Sequence, residues 1–496
     1  MQGKKNYQEK LFISFQLSDY IPADNFYRRL NDILDLDFVY RATAKYYGRE
    51  GQKSIDPVVF MKLMLVGYLE NLSSDRKIVS TSRMRMDILY FLGYDLDEEL
   101  PWHSTLSRTR QLYGMELFET LFKQVLKLCI DKGMVSGKRQ AVDSAYIHAN
   151  ASMDSLVERE ILKDASVYSN ELNDNVEDGS MRIVPITKKP AKRVFDKSMP
   201  LEKRSNKTHG SLSDPEARIS FKPGKAYRLT YTSQVSVDTA KHVITGIEAV
   251  LSDKRDSQCL PNLVERTVSN LKENGLVVDA ILADTNYSSI DALKFMRDNA
   301  IDAYIPNAGS FRVIREGFEY EAENDRYKCH QGRYLPFTHH VKDRNGNINK
   351  IYSSKITECA GCPFLQSCAK SGRRKTIEDG IDRYLFDEMQ VKMQSRKGKK
   401  MRKIRQSTVE PVLGSLINFT GMKRVNTKGL KQANKCMVMA AIAYNLKKLM
   451  KFSTKTPLTN VQAIPKNYKY SIWSFMHGLY ILLVLNTALL PKYSDK

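Results

Sequence analysis

The chain has 496 residues, 42% hydrophobic and 27% charged, long enough to bury a large core and to form more than one domain. Lys and Arg number 78 against 56 acids, a net charge of +22, which predicts a polyanionic partner because each basic side chain set on a phosphate releases counterions. Seven cysteines over this length do not suggest a disulfide-stapled secreted scaffold, and the polar amino terminus lacks a signal peptide's apolar run, so a reducing cytoplasm is the expected setting.

Residues 1–134 read as an all-helical domain. Pro57–Leu69 is apolar enough for a buried helix, Asp75–Tyr90 and Glu116–Lys132 follow, and Gly93 and Gly114 mark turns. Ser104 is a suitable N-cap for a short helix carrying Arg108 and Arg110. Such a unit either sets a basic helix in a DNA groove or is a plain bundle with solvated arginines, and spacing alone leaves both open.

Strand and helix signals alternate from residue 135 to about 310. Arg139–Ser152 alternates as a strand, with Asp143 on the face of Ala141, Ala145 and Ile147, where burial is costly unless a partner is found. A local hydrogen bond at a strand end is the alternative reading of that acid. A polar stretch to Asp178 leads into 182–228, with thirteen Lys or Arg and four acids, either a loop that orders on DNA or a solvated linker. Tyr227–Val237 and His242–Val250 flank Asp238-Thr-Ala-Lys241 as an antiparallel hairpin, and Gln258–Asn274 is a covering helix. Val277–Asp284 is a nearly continuous apolar run, as in a strand covered on both faces, with Asp284 at its carboxyl end, where open α/β sheets place ligands. A polar turn, a helix at Ile290–Asn299 and a strand at Ile301–Pro306 complete this part.

Residues 311–391 read as an inserted Cys-rich lobe. Cys329, Cys359, Cys362 and Cys368, the last three spaced C-x-x-C-x₅-C around Gly361 and Pro363, suit a structural Zn²⁺; four free thiols in a reducing cell are the alternative. His330 is a replacement ligand or a surface histidine. Cys129, Cys259 and Cys436 lie in apolar helices and read as core. Residues 392–450 close the α/β part. Eight of the fourteen residues from Lys392 to Arg405 are basic and none is acidic, so Lys399, Lys400, Arg402 and Arg405 are expected on phosphates, or on a solvated helix face. Thr408 reads as the N-cap of the next helix because Pro is tolerated near a helix start, which puts Glu410 in a first turn before Pro411. There an acid also serves the helix dipole or a capping box from Ser407. An apolar helix, Ala433–Leu449, follows. In the tail, 451–496, the uncharged Ile472–Leu490 is long enough to cross a bilayer, but with His477, Gly478 and Asn486 it reads as a buried or partner-packing helix.

Three carboxylates on two strands and a helix are what a two-metal phosphoryl-transfer site requires, since hard oxygens hold Mg²⁺ with waters retained. At this point the chain resembles the bacterial insertion-sequence transposases of the DDE type. The matching segments are Tyr47-Gly-Arg49, Ser54-Ile-Asp-Pro-Val-Val-Phe-Met-Lys-Leu63, His103-Ser-Thr-Leu-Ser-Arg108, Val142-Asp-Ser144 and Ala149-Asn-Ala-Ser152. Asp214-Pro-Glu-Ala-Arg218, Ala283-Asp284, Val409-Glu-Pro-Val-Leu-Gly414 and Lys428-Gly-Leu430 continue in the family's order. The resemblance implies an RNase H-like catalytic core and the triad Asp143, Asp284 and Glu410. It also implies two Mg²⁺ or Mn²⁺ ions, element ends and target DNA as partners rather than a small molecule, and a homodimer or higher assembly.

Two departures stand out. The family usually carries a basic or small residue and then Gly after the second acid, where this chain has Thr285-Asn286; Asn tolerates a left-handed turn. A Lys seven residues after the Glu is replaced by Ile417, leaving Lys423 or Arg424 to grip DNA. A catalytically inactive DNA-binding regulator and a nuclease without strand transfer remain as alternative functions.

Overall fold

The computed structural model describes residues 15–48, 50, 54–159, 204–221, 226–307, 317–342, 348–369 and 372–455. Most of the basic segment 182–228 and the apolar stretch 472–490 lie outside the described residues.

The amino-terminal part is helical: Leu17–Tyr20, Phe26–Ile33, Phe38–Thr43, Pro57–Leu69, Asp75–Arg83, Met86–Leu92, His103–Leu112 and Met115–Asp131. Pro57–Leu69 lies at its centre because it is apolar on all sides, with Phe60, Met61 and Leu63–Leu69 buried. Asp56 caps it, accepting the Val58 and Val59 N–H groups, and Pro57 occupies the first turn, where no N–H is needed. The single helix expected over Asp75–Tyr90 is broken at Met84–Arg85. There Arg85 turns to pair with Glu70 at 2.8 Å and Asp87 at 2.6 Å, and Met84 is left exposed. The helix carrying Arg108 starts at His103, with Trp102 rather than Ser104 in the capping position.

A mixed sheet follows. Its strands are β1 (Arg139–His148), β4 (Arg218–Ser220), β5 (Arg228–Asp238), β6 (Ile244–Leu251), β7 (Ala280–Leu282) and β8 (Asp302–Tyr304), while β2 (Leu156–Glu158) and β3 (His209–Ser211) form a separate ribbon. The order runs β5–β1–β7–β8, with both β4 and β6 on β5. β4, β5, β6 and β1 are joined antiparallel, and β1, β7 and β8 run parallel. Helix Asp256–Lys272 covers the sheet with Leu260, Leu263, Val264 and Leu271, as the apolar spacing predicts.

A second, antiparallel sheet forms the inserted lobe: β9 (Phe318–Glu321), β10 (Arg326–Cys329), β11 (Tyr334–Lys342), β12 (Ile348–Ser353) and β13 (Thr376–Gly380), side by side in chain order. Its core is small, gathered around Tyr327, Leu335, Tyr352 and Ile377. The lobe's strands end at Gly380, before the boundary read from sequence. Helix Arg383–Gln394 returns to the first sheet's side, where Lys294 meets Asp382 at 2.6 Å, and Arg297 and Lys392 pair with Glu388 and Asp302.

The helix bearing Glu410 runs from Arg396 to Phe419, so it does not begin at Thr408. Ser395 is the cap, its Oγ accepting the Gly398 N–H at 3.0 Å, and a Cβ on Gly398 would stand 2.3 Å from the Lys392 carbonyl oxygen. Only glycine lets the two helices turn that tightly. Met401, Arg405, Thr408, Val412 and Leu416 form one buried stripe that spans Pro411, and Met401 and Ile404 pack on Ala280, Leu282 and Tyr304. Burial of that stripe outweighs the lost hydrogen bond of an interior proline. The chain divides into two compact units, 1–447 and 448–496; the last described helix, Leu430–Lys455, ends within the second. No described helix is long and apolar enough to cross a membrane.

Candidate active site

Three elements bring the acids together. Asp143 sits midway along the central strand β1, across from Val235 of β5. β7 runs parallel beside it with Leu282 level with Ala141, so Asp284, two residues on, comes level with Asp143. The chain leaves β7 in a 3₁₀ turn, Thr285–Tyr287, which Asp284 caps by accepting the Asn286 N–H at 3.0 Å. No residue of that turn has positive φ, so neither glycine nor a left-handed Asn286 is needed, contrary to the reading from sequence. Glu410 projects from the third element, its side chain 57% exposed.

At the meeting point lies Arg405. Its Nη2 is 2.6 Å from Asp143 Oδ2 and 3.8 Å from Asp284 Oδ2, and its Nη1 is 3.7 Å from Glu410 Oε1. Burial pushes the Asp143 carboxyl up to about 6, against the pull of Arg405 and of the Ser144 N–H, which donates at 2.8 Å. Burial also raises Asp284, opposed by Arg405 and the Asn286 N–H. A fourth acid, Asp256, adds its repulsion to both. It opens helix Asp256–Lys272 and accepts from Gln234 Nε2 at 2.7 Å, while the buried Tyr287 hydroxyl donates to Gln234 Oε1 at 2.5 Å. The sequence offered no way to tell Asp256 from an ordinary first-turn acid.

Among the described residues no three His, Cys, Asp or Glu side chains stand close enough together to hold a metal ion, and between the three acids lies the guanidinium. Mg²⁺ asks for less, since one or two carboxylates suffice when waters and substrate phosphates complete its shell. Asp143 and Asp284, two hard-oxygen donors within reach of a single nitrogen, fit that requirement.

The residues expected on DNA separate into two groups. Arg108, Lys399, Lys400, Arg402, Lys423 and Arg424 are exposed. Two expectations are corrected. Arg110 is buried, its Nη2 held 2.5 Å from Asp75 Oδ1, so it braces the helical domain and is not available to phosphate. Arg405 is buried as well and faces the acids instead of a solvated helix surface.

In the lobe, Cys329 from β10 and Cys359, Cys362 and Cys368 from the run 359–368 line one cavity of about 160 Å³. As these side chains lie, no three close on a common point. His330 lies edge-on to Phe364 with ring centres 4.7 Å apart. Cys129, Cys259 and Cys436 are buried, as read from sequence.

Comparison with known proteins bears on this arrangement at both ends of the chain. Residues 15–112 match the family model described as "Transposase domain (DUF772)", and residues 328–450 match the model described as "Transposase DDE domain". The second match takes in the cysteines and Glu410 but neither Asp143 nor Asp284. No curated protein matches the sequence. Among solved structures, the cryo-EM structure of a piggyBac transposase synaptic complex with hairpin DNA aligns at a TM-score of 0.31 and 9% identity, covering 85% of this chain and 79% of that one. The chain carries transposase domains over both matched segments. More particularly, it carries a DDE-type transposase domain, and DNA transposition is the function such a domain implies.

Proposed function

We propose that the chain hydrolyses a phosphodiester at the ends of a mobile DNA element and joins the freed 3′-hydroxyl to target DNA, both at the site of Asp143, Asp284 and Glu410. The observation that carries the reading is the convergence of these acids, remote along the chain, on one guanidinium. The strand order β6–β5–β1–β7–β8, antiparallel and then parallel, supports an RNase H-like core beneath them.

Asp143 and Asp284 would hold two Mg²⁺ or Mn²⁺ ions, with Glu410 completing one shell. When bound, such ions polarise the phosphodiester and lower the pKa of an attacking water. The chain's own groups orient what reacts. The Asn286 and Ser144 N–H groups fix the two aspartates, and the buried stripe of the Arg396–Phe419 helix sets where Glu410 can reach. The exposed Lys399, Lys400 and Arg402 lie on that helix and suit a DNA backbone. A synaptic complex of at least two copies on element ends follows from the same reading.

Incubation of the chain with its flanking DNA and Mg²⁺, scoring nicking and joining separately, tests this. Asp143→Asn, Asp284→Asn and Glu410→Gln should each abolish both steps while DNA binding persists. Retained metal-dependent cleavage in Asp143→Asn would refute the assignment; nicking without joining would leave a nuclease. Cys329, Cys359, Cys362 and Cys368, which line one cavity, would hold a structural zinc. Metal analysis should then give one zinc per chain, lost in Cys362→Ser; a zinc-free, fully folded protein removes that part.

A further inference from the structure

Beyond the acids, the carboxyl end of β1 opens into a separate concavity of about 440 Å³, lined by His148, Ser152, Tyr227, Arg228 and Arg424 among others. None of its described lining residues is acidic. Main-chain bonds hold its walls. The His148 N–H donates to the Lys423 carbonyl at 3.3 Å, the Val425 N–H to the His148 carbonyl at 2.9 Å, and the Ala149 N–H to the Leu229 carbonyl at 2.9 Å. The segment after the Glu410 helix is thereby clipped beside β1, which carries Arg424 to the mouth that Arg228 enters from β5. Arg228 Nη1 lies 3.4 Å from His148 Nδ1, and Arg424 Nη2 donates to Asn150 Oδ1 at 3.1 Å. The Tyr227 ring, in the lining, is stacked on Phe221 with centres 4.7 Å apart and planes 23° apart, and Phe221 is 49% exposed.

Two guanidinium groups beside an imidazole, with no carboxylate among the described lining residues, select an anion. An exposed stack of two aromatic rings selects a flat π face. A ligand that offers both at once is a nucleotide, and the volume falls in the range of small-ligand sites. His148 lies five residues along β1 from Asp143, about 17 Å at a strand's rise of about 3.3 Å per residue. That equals roughly five nucleotides at about 3.4 Å of rise per nucleotide of a DNA strand.

We propose that this concavity is a subsite for an unpaired nucleotide of the DNA strand, roughly five positions from the scissile phosphate. Its base lies against the Tyr227–Phe221 pair and its phosphate between Arg228 and Arg424. The proposal rests on the reading of the chain as acting on DNA, and names which strand geometry this part of its surface takes.

The test is fluorescence anisotropy of the full chain in EDTA, where no cleavage occurs, with a labelled single-stranded 20-mer and its duplex across a salt series. Arg228→Gln/Arg424→Gln should flatten the log K against log salt slope for single strands by about 1.4, two phosphates at about 0.7 each. Tyr227→Leu/Phe221→Leu should weaken single-strand binding about tenfold with the slope and duplex affinity unchanged, and Tyr227→Phe should restore it. These side chains are exposed or half-exposed, and a thermal melt confirms that each variant is folded. Wild-type binding in every variant overturns the subsite. Loss in the arginine variant alone, equal on duplex and single strand, means a duplex-backbone contact and overturns the unpaired nucleotide. A wild-type chain that binds no DNA at all sinks the functional reading itself, a result distinct from either.

Discussion

Arg405 holds the most consequential position of any single residue. A buried guanidinium that reaches three carboxylates offsets repulsion that burial would otherwise magnify, and without it Asp143 would rise still further above its ordinary range. Replacing it by Gln leaves two half-buried aspartates uncompensated, so Arg405→Gln should cost about 3–5 kcal/mol in urea unfolding without added metal. Adding Asp143→Asn to that variant should recover part of the loss, because one of the uncompensated charges is gone. Equal stability of Arg405→Gln and the parent protein would show that the pair does not hold the site. At this scale Asp143 and Asp284 were legible because each interrupts an apolar strand. Arg405 was not: it closes a run of eight basic residues, and only the register of the helix decides which of them turns inward.

The Arg396–Phe419 helix shows why an element's boundary is harder to read than its existence. Pro411 signals a helix start through its missing N–H, and Glu410 before it looks like a first-turn acid. The contrary signal, a stripe at 401, 405, 408, 412 and 416, begins inside the basic run, and two of its five positions are polar in type though buried in fact. Periodicity counted on apolar residues alone therefore starts too late. An interior proline is a cost that packing carries, so Pro411→Ala should raise unfolding stability by about 1–3 kcal/mol. A lower thermal midpoint in that variant would show instead that this helix requires the ring at Pro411. Of the first sheet, β1, β5 and β6 were read nearly to their ends because alternation fixes them locally, whereas β7 and β8 are shorter than their apolar runs and β4, inside the basic segment, was missed; the pairing that levels Asp284 with Asp143 is long-range and left no mark in the sequence.

Over the whole molecule, the helical domain and the α/β part are joined by polar contacts, exposed and buried, that no periodicity announces. Asn71, in a left-handed conformation, donates to the Asn418 carbonyl at 3.0 Å and accepts the Gly421 N–H at 2.8 Å. Lys435, almost wholly buried, donates from Nζ to the Arg110 carbonyl at 2.8 Å and the Tyr113 carbonyl at 2.6 Å. Burial, with the nearby Lys431, pulls the Lys435 ammonium down to about 8. Below pH 8 both folded and unfolded chains carry this proton, and the cost of burying the charge stands in full. Between pH 8 and the ordinary lysine value of 10.5 the folded chain gives up its proton first. The unfolded state then binds more protons, and this group's contribution to stability rises with pH, by about 3 kcal/mol across the whole window. Lys435→Met removes the titration but also leaves two carbonyls without a donor, an offset that does not vary with pH. The stability of the parent protein minus that of Lys435→Met, from urea unfolding at steps from pH 7.5 to 10, should therefore grow steadily. Tyrosines and other lysines titrate alike in both proteins and cancel. A flat difference would mean that Lys435 keeps an ordinary affinity for its proton, so that the junction it spans is open to water.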